Sequence, residues 1–173
     1  MSVQKRALSG LLRQARETFT NETQGTSLVA PISPTPLALV EMVLETLSLT
    51  SDDTLVDLGC GDGRWLETAA AKAGCRGLGF DLNKQLLERG RSSIERAGFS
   101  SLVNLEERDI FDVPLGVATV IIVFLYRKGL SRLKTKLQEE VSPGARVVSV
   151  GFHIPGWTPS SEVASHGLHT YIY

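Results

Sequence analysis

The stretch Val56-Asp57-Leu58-Gly59-Cys60-Gly61-Asp62-Gly63 decides how the rest of the chain is read. Thr54 to Leu58 is short and apolar with β-branched members, which predicts a buried strand carrying an acid near its end. The glycines at alternating positions after it permit a tight turn and a close approach of a ligand to the backbone. Trp65 to Ala73 then continues as a good helix former, and Gly74 ends it.

A strand, a glycine turn and a helix make the first half of a nucleotide-binding βαβ unit, and the spacing narrows what the turn holds. A dinucleotide site uses G-x-G-x-x-G so that the helix N-terminus faces a pyrophosphate. Here the third glycine, Gly63, comes one residue too early, and Asp57 would repel a phosphate. A carboxylate there suits a cationic group such as the α-ammonium of a methionine moiety. The next apolar run, Gly77-Leu78-Gly79-Phe80, ends on Asp81, where an acid can hold both hydroxyls of a ribose. Together the two acids imply an adenosyl ligand without phosphates.

With 173 residues the chain is long enough for one domain with a real core. A hydrophobic fraction of 42% and a charged fraction of 21% are ordinary for a globular protein, and a net charge of -1 gives no global pull toward nucleic acid. Cys60 and Cys75 are the only cysteines, one inside the glycine turn and one at the start of the next strand. Their placement points to neither a metal site nor a disulfide framework and fits a reducing intracellular compartment, mitochondrial or cytoplasmic. No run approaches the ~20 apolar residues of a membrane span.

Residues 1–30 form an extension whose Leu8, Leu11, Leu12, Ala15 and Phe19 fall at helical spacing beside Lys5, Arg6, Arg13 and Arg16. This basic amphipathic segment reads equally as a mitochondrial targeting segment or as a helix packed on the domain edge. The domain proper is expected over 31–173. Pro31, Pro34 and Pro36 force an extended path into a helix over residues 37–49, with Thr35 as its N-cap and Leu37, Val40, Leu44 and Leu47 on one face. Residues 84–97 predict a helix stopped by Gly98, which Asn83 either caps or leaves for the ribose. Leu102 to Glu106 predicts a third strand, and the apolar run Val117 to Leu125 a fourth, buried on both faces. Its end, Phe124-Leu125-Tyr126, opens beyond the carboxyl edge of the sheet, where ligands bind in such folds. A helix over 127–141 turns Leu130, Leu133, Leu137 and Val141 inward and a basic face outward. Residues 145–152 read as another strand, and a final hairpin turns at His166-Gly167.

Asp57-x-Gly59-x-Gly61-x-Gly63 together with Asp81 resembles the class I S-adenosylmethionine-dependent methyltransferases. The resemblance implies an α/β, Rossmann-like seven-stranded sheet with its last strand antiparallel. It implies S-adenosyl-L-methionine as cofactor, held by Asp57, Gly59, Gly61, Asp62, Gly63, Asp81, Leu82 and Asn83. Asp109, Ile110 and Phe111 match the superfamily position that meets the adenine. Thr35 stands before a helix that borders the cofactor pocket in that superfamily, so it reads either as a cap or as a site residue.

Pro34-Thr35-Pro36, Phe124-Leu125-Tyr126 leading into Leu133 to Leu137, and Pro143 to Ser149 continuing to Gly156-Trp157-Thr158-Pro159 narrow the likeness. They resemble the small protein-lysine methyltransferases that include an archaeal branch and the mitochondrial enzymes acting on the adenine nucleotide translocase and ATP synthase subunit c. That resemblance implies a protein partner presenting a lysine. Phe124, Tyr126 and Trp157 are the candidates for an apolar slot that disfavours the ammonium charge. Thr35, Tyr126, Arg127 and Trp157 would form its rim. Methylation of RNA or of a small molecule, and a non-catalytic role in binding the cofactor, remain alternatives at this point.

Overall fold

A computed structural model describes residues 34–165 and 167–173. The basic amphipathic segment predicted before residue 30 lies outside the described residues. The elements are α1 (Leu37–Leu47), β1 (Thr54–Leu58), α2 (Arg64–Ala73), β2 (Arg76–Asp81), α3 (Lys84–Arg96), β3 (Val103–Glu107), β4 (Val120–Val123), α4 (Arg127–Glu140), β5 (Arg146–Val150), β6 (Ser161–Ser165) and β7 (Leu168–Ile172). A single 3-10 turn, Ile110–Asp112, follows β3.

The strands form one sheet in the order β3-β2-β1-β4-β5-β7-β6. β1 pairs in parallel with β2 on one side and β4 on the other, and β7 runs antiparallel to both β5 and β6. This is the class I methyltransferase arrangement expected from the sequence. Strand order reverses at β1, so the crevice for a ligand opens beyond the carboxyl ends of β1 and β4. At the opposite edge the sheet is tied shut, because Asp53 Oδ1 accepts from Thr119 Oγ1 and Arg146 Nη2, each at 2.6 Å. Those bonds join the amino ends of β1, β4 and β5.

Two cores flank the sheet. Leu55, Ile122 and Val148 face α1, α2 and α3, where Val43, Leu66 and Leu87 are buried against them. Val56, Ile121 and Val147 face the other way, onto Leu130, Leu133 and Leu137 of α4. Burial of one such leucine contributes about 1.5–3 kcal/mol.

Three predictions need correction. Pro36, not Thr35, occupies the N-cap of α1, with no side-chain capping bond. The buried face of α1 is Leu39, Val40, Val43, Leu44 and Leu47, while Leu37 is 56% exposed. Leu37 starts the helix and overhangs the core, so spacing alone placed it wrongly. β4 is also shorter than the apolar run that predicts it: Val117 is 64% exposed in a turn, and Phe124 to Tyr126 leave the sheet for α4.

Candidate active site

β1 brings Asp57 to the carboxyl edge of the sheet, and the glycine turn folds over it. Gly59, Gly61 and Gly63 have φ of 91°, 55° and 73°, a region where a Cβ is strained. The turn's amides are held from the side by β2. Gly59 N and Cys60 N donate to Phe80 O at 2.8 and 3.1 Å, and Gly61 N donates to Asp81 Oδ2 at 2.8 Å. The other oxygen of Asp81 accepts from Asn83 N at 2.8 Å. From behind, α3 comes so close that a Cβ on Gly90 would lie 2.6 Å from the carbonyl oxygen of Asp62. The ligand side is open, since a Cβ on Gly59 would meet nothing within 4 Å.

Asp57 is 3% exposed, and its Oδ2 has no hydrogen-bond partner among the described residues. Burial, and then the neighbouring charges of Asp81 and Asp62, push its carboxyl up to about 8. A buried carboxylate without a partner carries a penalty of several kcal/mol that a cation removes. Asp62 has its cation already. Arg64 Nε donates to Oδ1 at 2.9 Å and Nη2 to Oδ2 at 2.6 Å, and these bonds hold Asp62 below the usual carboxylate range. Arg64 Nη1 also donates to Thr35 O at 2.9 Å, joining the approach to α1 to the glycine turn. Sequence reasoning missed Arg64; its signal was a cation two residues beyond a turn acid. Cys60 is buried, and burial pushes its thiol up, away from the nucleophilic form.

Beyond β2, Asp81, Leu82, Asn83, Lys84 and Gln85 line an open hollow of about 580 Å³, and Leu82 is 65% exposed. Asn83 caps α3, accepting from Leu86 N at 3.2 Å. Asp109 caps the 3-10 turn, accepting from Phe111 N at 3.0 Å, with Ile110 buried behind it.

The five residues expected around an acceptor sit in different surroundings. Thr35 is buried, with its hydroxyl accepting from Trp65 Nε1 at 3.4 Å. Tyr126 is 2% exposed and stands edge-on to Phe152 at 5.7 Å. Phe124 packs with the core under α1 to α3, whereas Trp157 packs with the α4 core and stands edge-on to Tyr173 at 5.5 Å. Arg127 is exposed. Thr35 and Tyr126 therefore lie beneath the surface rather than on a rim. Two histidines also have partners that the sequence hid. His169 Nδ1 is hydrogen-bonded to Glu162, and the His153 ring stacks on Tyr171 at 3.7 Å.

The family model for the ANTKMT methyltransferase domain matches residues 57–161, from the buried acid of β1 to the start of β6. The chain belongs to that family. A protein-lysine N-methyltransferase of Saccharolobus islandicus (strain REY15A) is 34% identical over 149 residues, which cover 82% of this chain and 92% of that one. The adenine nucleotide translocase lysine N-methyltransferase of Mus musculus is 41% identical over 110 residues, 63% of this chain and 48% of its own length. This chain therefore spans about half of that mouse relative. Among solved structures, an RNA methyltransferase from Salinibacter ruber in complex with S-adenosyl-L-homocysteine superposes with a TM-score of 0.79 at 34% identity, covering 82% of this chain and 92% of that one.

This member of the ANTKMT family is an S-adenosylmethionine-dependent methyltransferase. Its own residues fit the cofactor: a partnerless buried carboxylate oxygen awaits a cation, and the turn above it faces open space. Among the described residues no group of His, Cys, Asp or Glu is arranged to hold a metal, and no helix is long and apolar enough to cross a membrane.

Proposed function

We propose that this chain methylates lysine side chains of proteins, with residues 31–173 as the catalytic unit. The observation that carries the cofactor part of this reading is the buried, unpartnered oxygen of Asp57 beneath the glycine turn, and the lysine enzymes among the relatives support the acceptor part. S-adenosylmethionine supplies an electrophilic methyl group on a sulfonium sulfur. Asp57 would accept the ammonium of its methionine end, while Gly59, Gly61, Asp62 and Gly63 present backbone around it. Asp81, with Leu82 and Asn83, would receive the ribose hydroxyls; both its oxygens already hold backbone amides, which fixes their direction. Asp109, Ile110 and Phe111 would enclose the adenine.

The acceptor amine must reach the methyl group unprotonated and in line with the bond that breaks, and alignment with desolvation supplies most of the rate. Phe124, Tyr126 and Trp157 would lower the ammonium pKa by surrounding it with apolar and aromatic surface, and Thr35 would brace the near side from beneath. No covalent intermediate is needed, which agrees with the inert thiol of Cys60. A protruding lysine is favoured over a base in a duplex, because nothing in the described residues resembles a flipping loop. The lysine enzymes among the relatives support the same acceptor. The buried free cysteines fit an intracellular location, mitochondrial or cytoplasmic.

RNA methylation is the second reading, favoured by the Salinibacter ruber relative and by the basic face of α4. Incubation with methyl-labelled S-adenosylmethionine and cell extract separates the two. We expect label in protein, as one to three methyl groups on lysine by mass spectrometry; label only in nucleic acid would overturn the proposal.

A further inference from the structure

The charges of α4 run against the dipole of the helix. A helix N-terminus is positive and stabilised by acids, yet the first turn of α4 has none, and Arg127 and Lys128 are exposed there. Lys128 and Arg132 are also four residues apart on one face, a like-charge pair that destabilises an isolated helix. The acids Glu139 and Glu140 sit at the far end, where the dipole is negative.

Local rules broken in this way are expected where a surface meets something else. Elsewhere Lys72, Lys84 and Arg108 each have a carboxylate within 4.0 Å, while Arg91 and Arg96 donate to backbone carbonyls instead, and on α4 itself Lys136 is paired with Glu140 at 2.6 Å. Arg127, Lys128, Arg132 and Lys134 have no such partner among the described residues. Arg132 is held in place all the same, its guanidinium carbon 3.5 Å from the centre of the Phe111 ring. Stacking leaves the edge of the guanidinium, with its donors, free to meet a carboxylate.

We infer that the exposed face of Arg127, Lys128 and Arg132 docks an acidic stretch of the protein substrate next to its target lysine. The inference rests on the protein-lysine reading above. α4 begins directly after Tyr126, so this face adjoins the mouth beyond β4. Arg127 to Lys134 spans about 10 Å, the length of about three extended residues. That length suits one or two carboxylates. It is short for a nucleic-acid strand, which also needs rings on which bases stack. The face of the Phe111 ring beside the patch is covered by Arg132 and is not open to a base.

The test uses the full chain with fluorescent peptides that share a central lysine and differ in flanks of Asp and Glu, of Ser, or of Lys and Arg. By anisotropy the acidic-flanked peptide is expected to bind tightest, to weaken severalfold between 50 and 300 mM salt, and to lose about tenfold in Lys128→Glu/Arg132→Glu. Lys128→Gln, which leaves the Phe111 stack intact, should lose a smaller part. Far-UV circular dichroism and the thermal melt of each variant are measured alongside as the check on folding. Equal binding of the three peptides, or an unchanged affinity in both variants, would overturn the inference. So would a single-stranded RNA oligonucleotide that binds more tightly than the acidic peptide and is released by the same variants. Methyl transfer to the peptide is read separately: binding without transfer counts against lysine as the acceptor and not against the docking face.

Discussion

The glycine turn after β1 and the aromatic segment after β4 lie side by side at the carboxyl edge of the sheet, but they are held by different forces. In the turn, Gly59, Cys60, Gly61 and Gly63 each spend their amide on a fixed acceptor within β2 or the turn itself. Phe124 and Tyr126 after β4, and Trp157 after β5, are fixed by apolar packing and ring edges, and Arg127 and Lys128 beside Tyr126 go unpaired among the described residues. A rigid polar cradle suits a cofactor common to many enzymes, because a backbone held in advance needs no rearrangement on binding. A packed aromatic wall with a charged margin can change between relatives without disturbing that cradle. On the proposed reading, the cofactor is held on one side of the crevice and the acceptor is chosen on the other.

The strongest break in this division comes from the carboxylates of the cradle. Asp57→Asn should weaken S-adenosylhomocysteine binding by about 3–5 kcal/mol, the loss from removing one partner of a buried ion pair. Asp81→Ala should lose about 1.5–3 kcal/mol. Calorimetric titration measures both. The same Asp57→Asn change should stabilise the ligand-free protein. The Asp57 carboxyl is raised from 3.8 to about 8 by folding, so its protonated form favours the native state. That stability is fully present below pH 3.8 and is lost as pH rises through about 8. Thermal melts from pH 5 to 9 should therefore separate, the variant gaining about 1–3 kcal/mol over the parent at the alkaline end. Over the same range cofactor binding by the parent should release a proton, seen as a dependence of the heat on the ionisation enthalpy of the buffer. A variant less stable than the parent at pH 8 would contradict the buried, unpartnered state of Asp57.

A smaller effect, of the opposite kind, is expected beyond β4. Trp157→Ala and Tyr126→Phe should lower kcat about tenfold for Trp157 and less for Tyr126, while cofactor affinity stays within about twofold. Steady-state kinetics beside the titration decides this, and a fall in affinity without a fall in turnover would move either residue to the cofactor side. The smallest change belongs to the residue that bridges the two sides. Arg64→Lys keeps the charge but loses the fork that holds Asp62 and Thr35 together, and should weaken cofactor binding by about 0.5–1 kcal/mol. No change in affinity would make Arg64 a purely structural clamp.

The cradle side was the more legible in the sequence because its signals are local. Asp57, the glycines and Asp81 sit at strand ends whose periodicity and punctuation fix them, and the hairpin about Gly167 follows from the same logic. What escaped depends on contacts across the chain. Thr35 looks like a cap until Trp65, thirty residues on, takes its hydroxyl. Glu162 and His169 meet only because hairpin pairing sets Ala164 opposite His169 and leaves Glu162 diagonal on the same face. Phe124 and Trp157 pack against cores on opposite faces of the sheet, a difference in support that residue type alone does not show.

One contact behind the cradle carries further than its position suggests. Gly90 is no part of the crevice, yet its missing side chain is the gap in which the Asp62 carbonyl rests. Any bulk added there displaces the turn forward into the space a cofactor occupies. An inhibitor that mimics the cofactor would thus meet resistance from helix α3, at a position that no inspection of its binding surface would nominate.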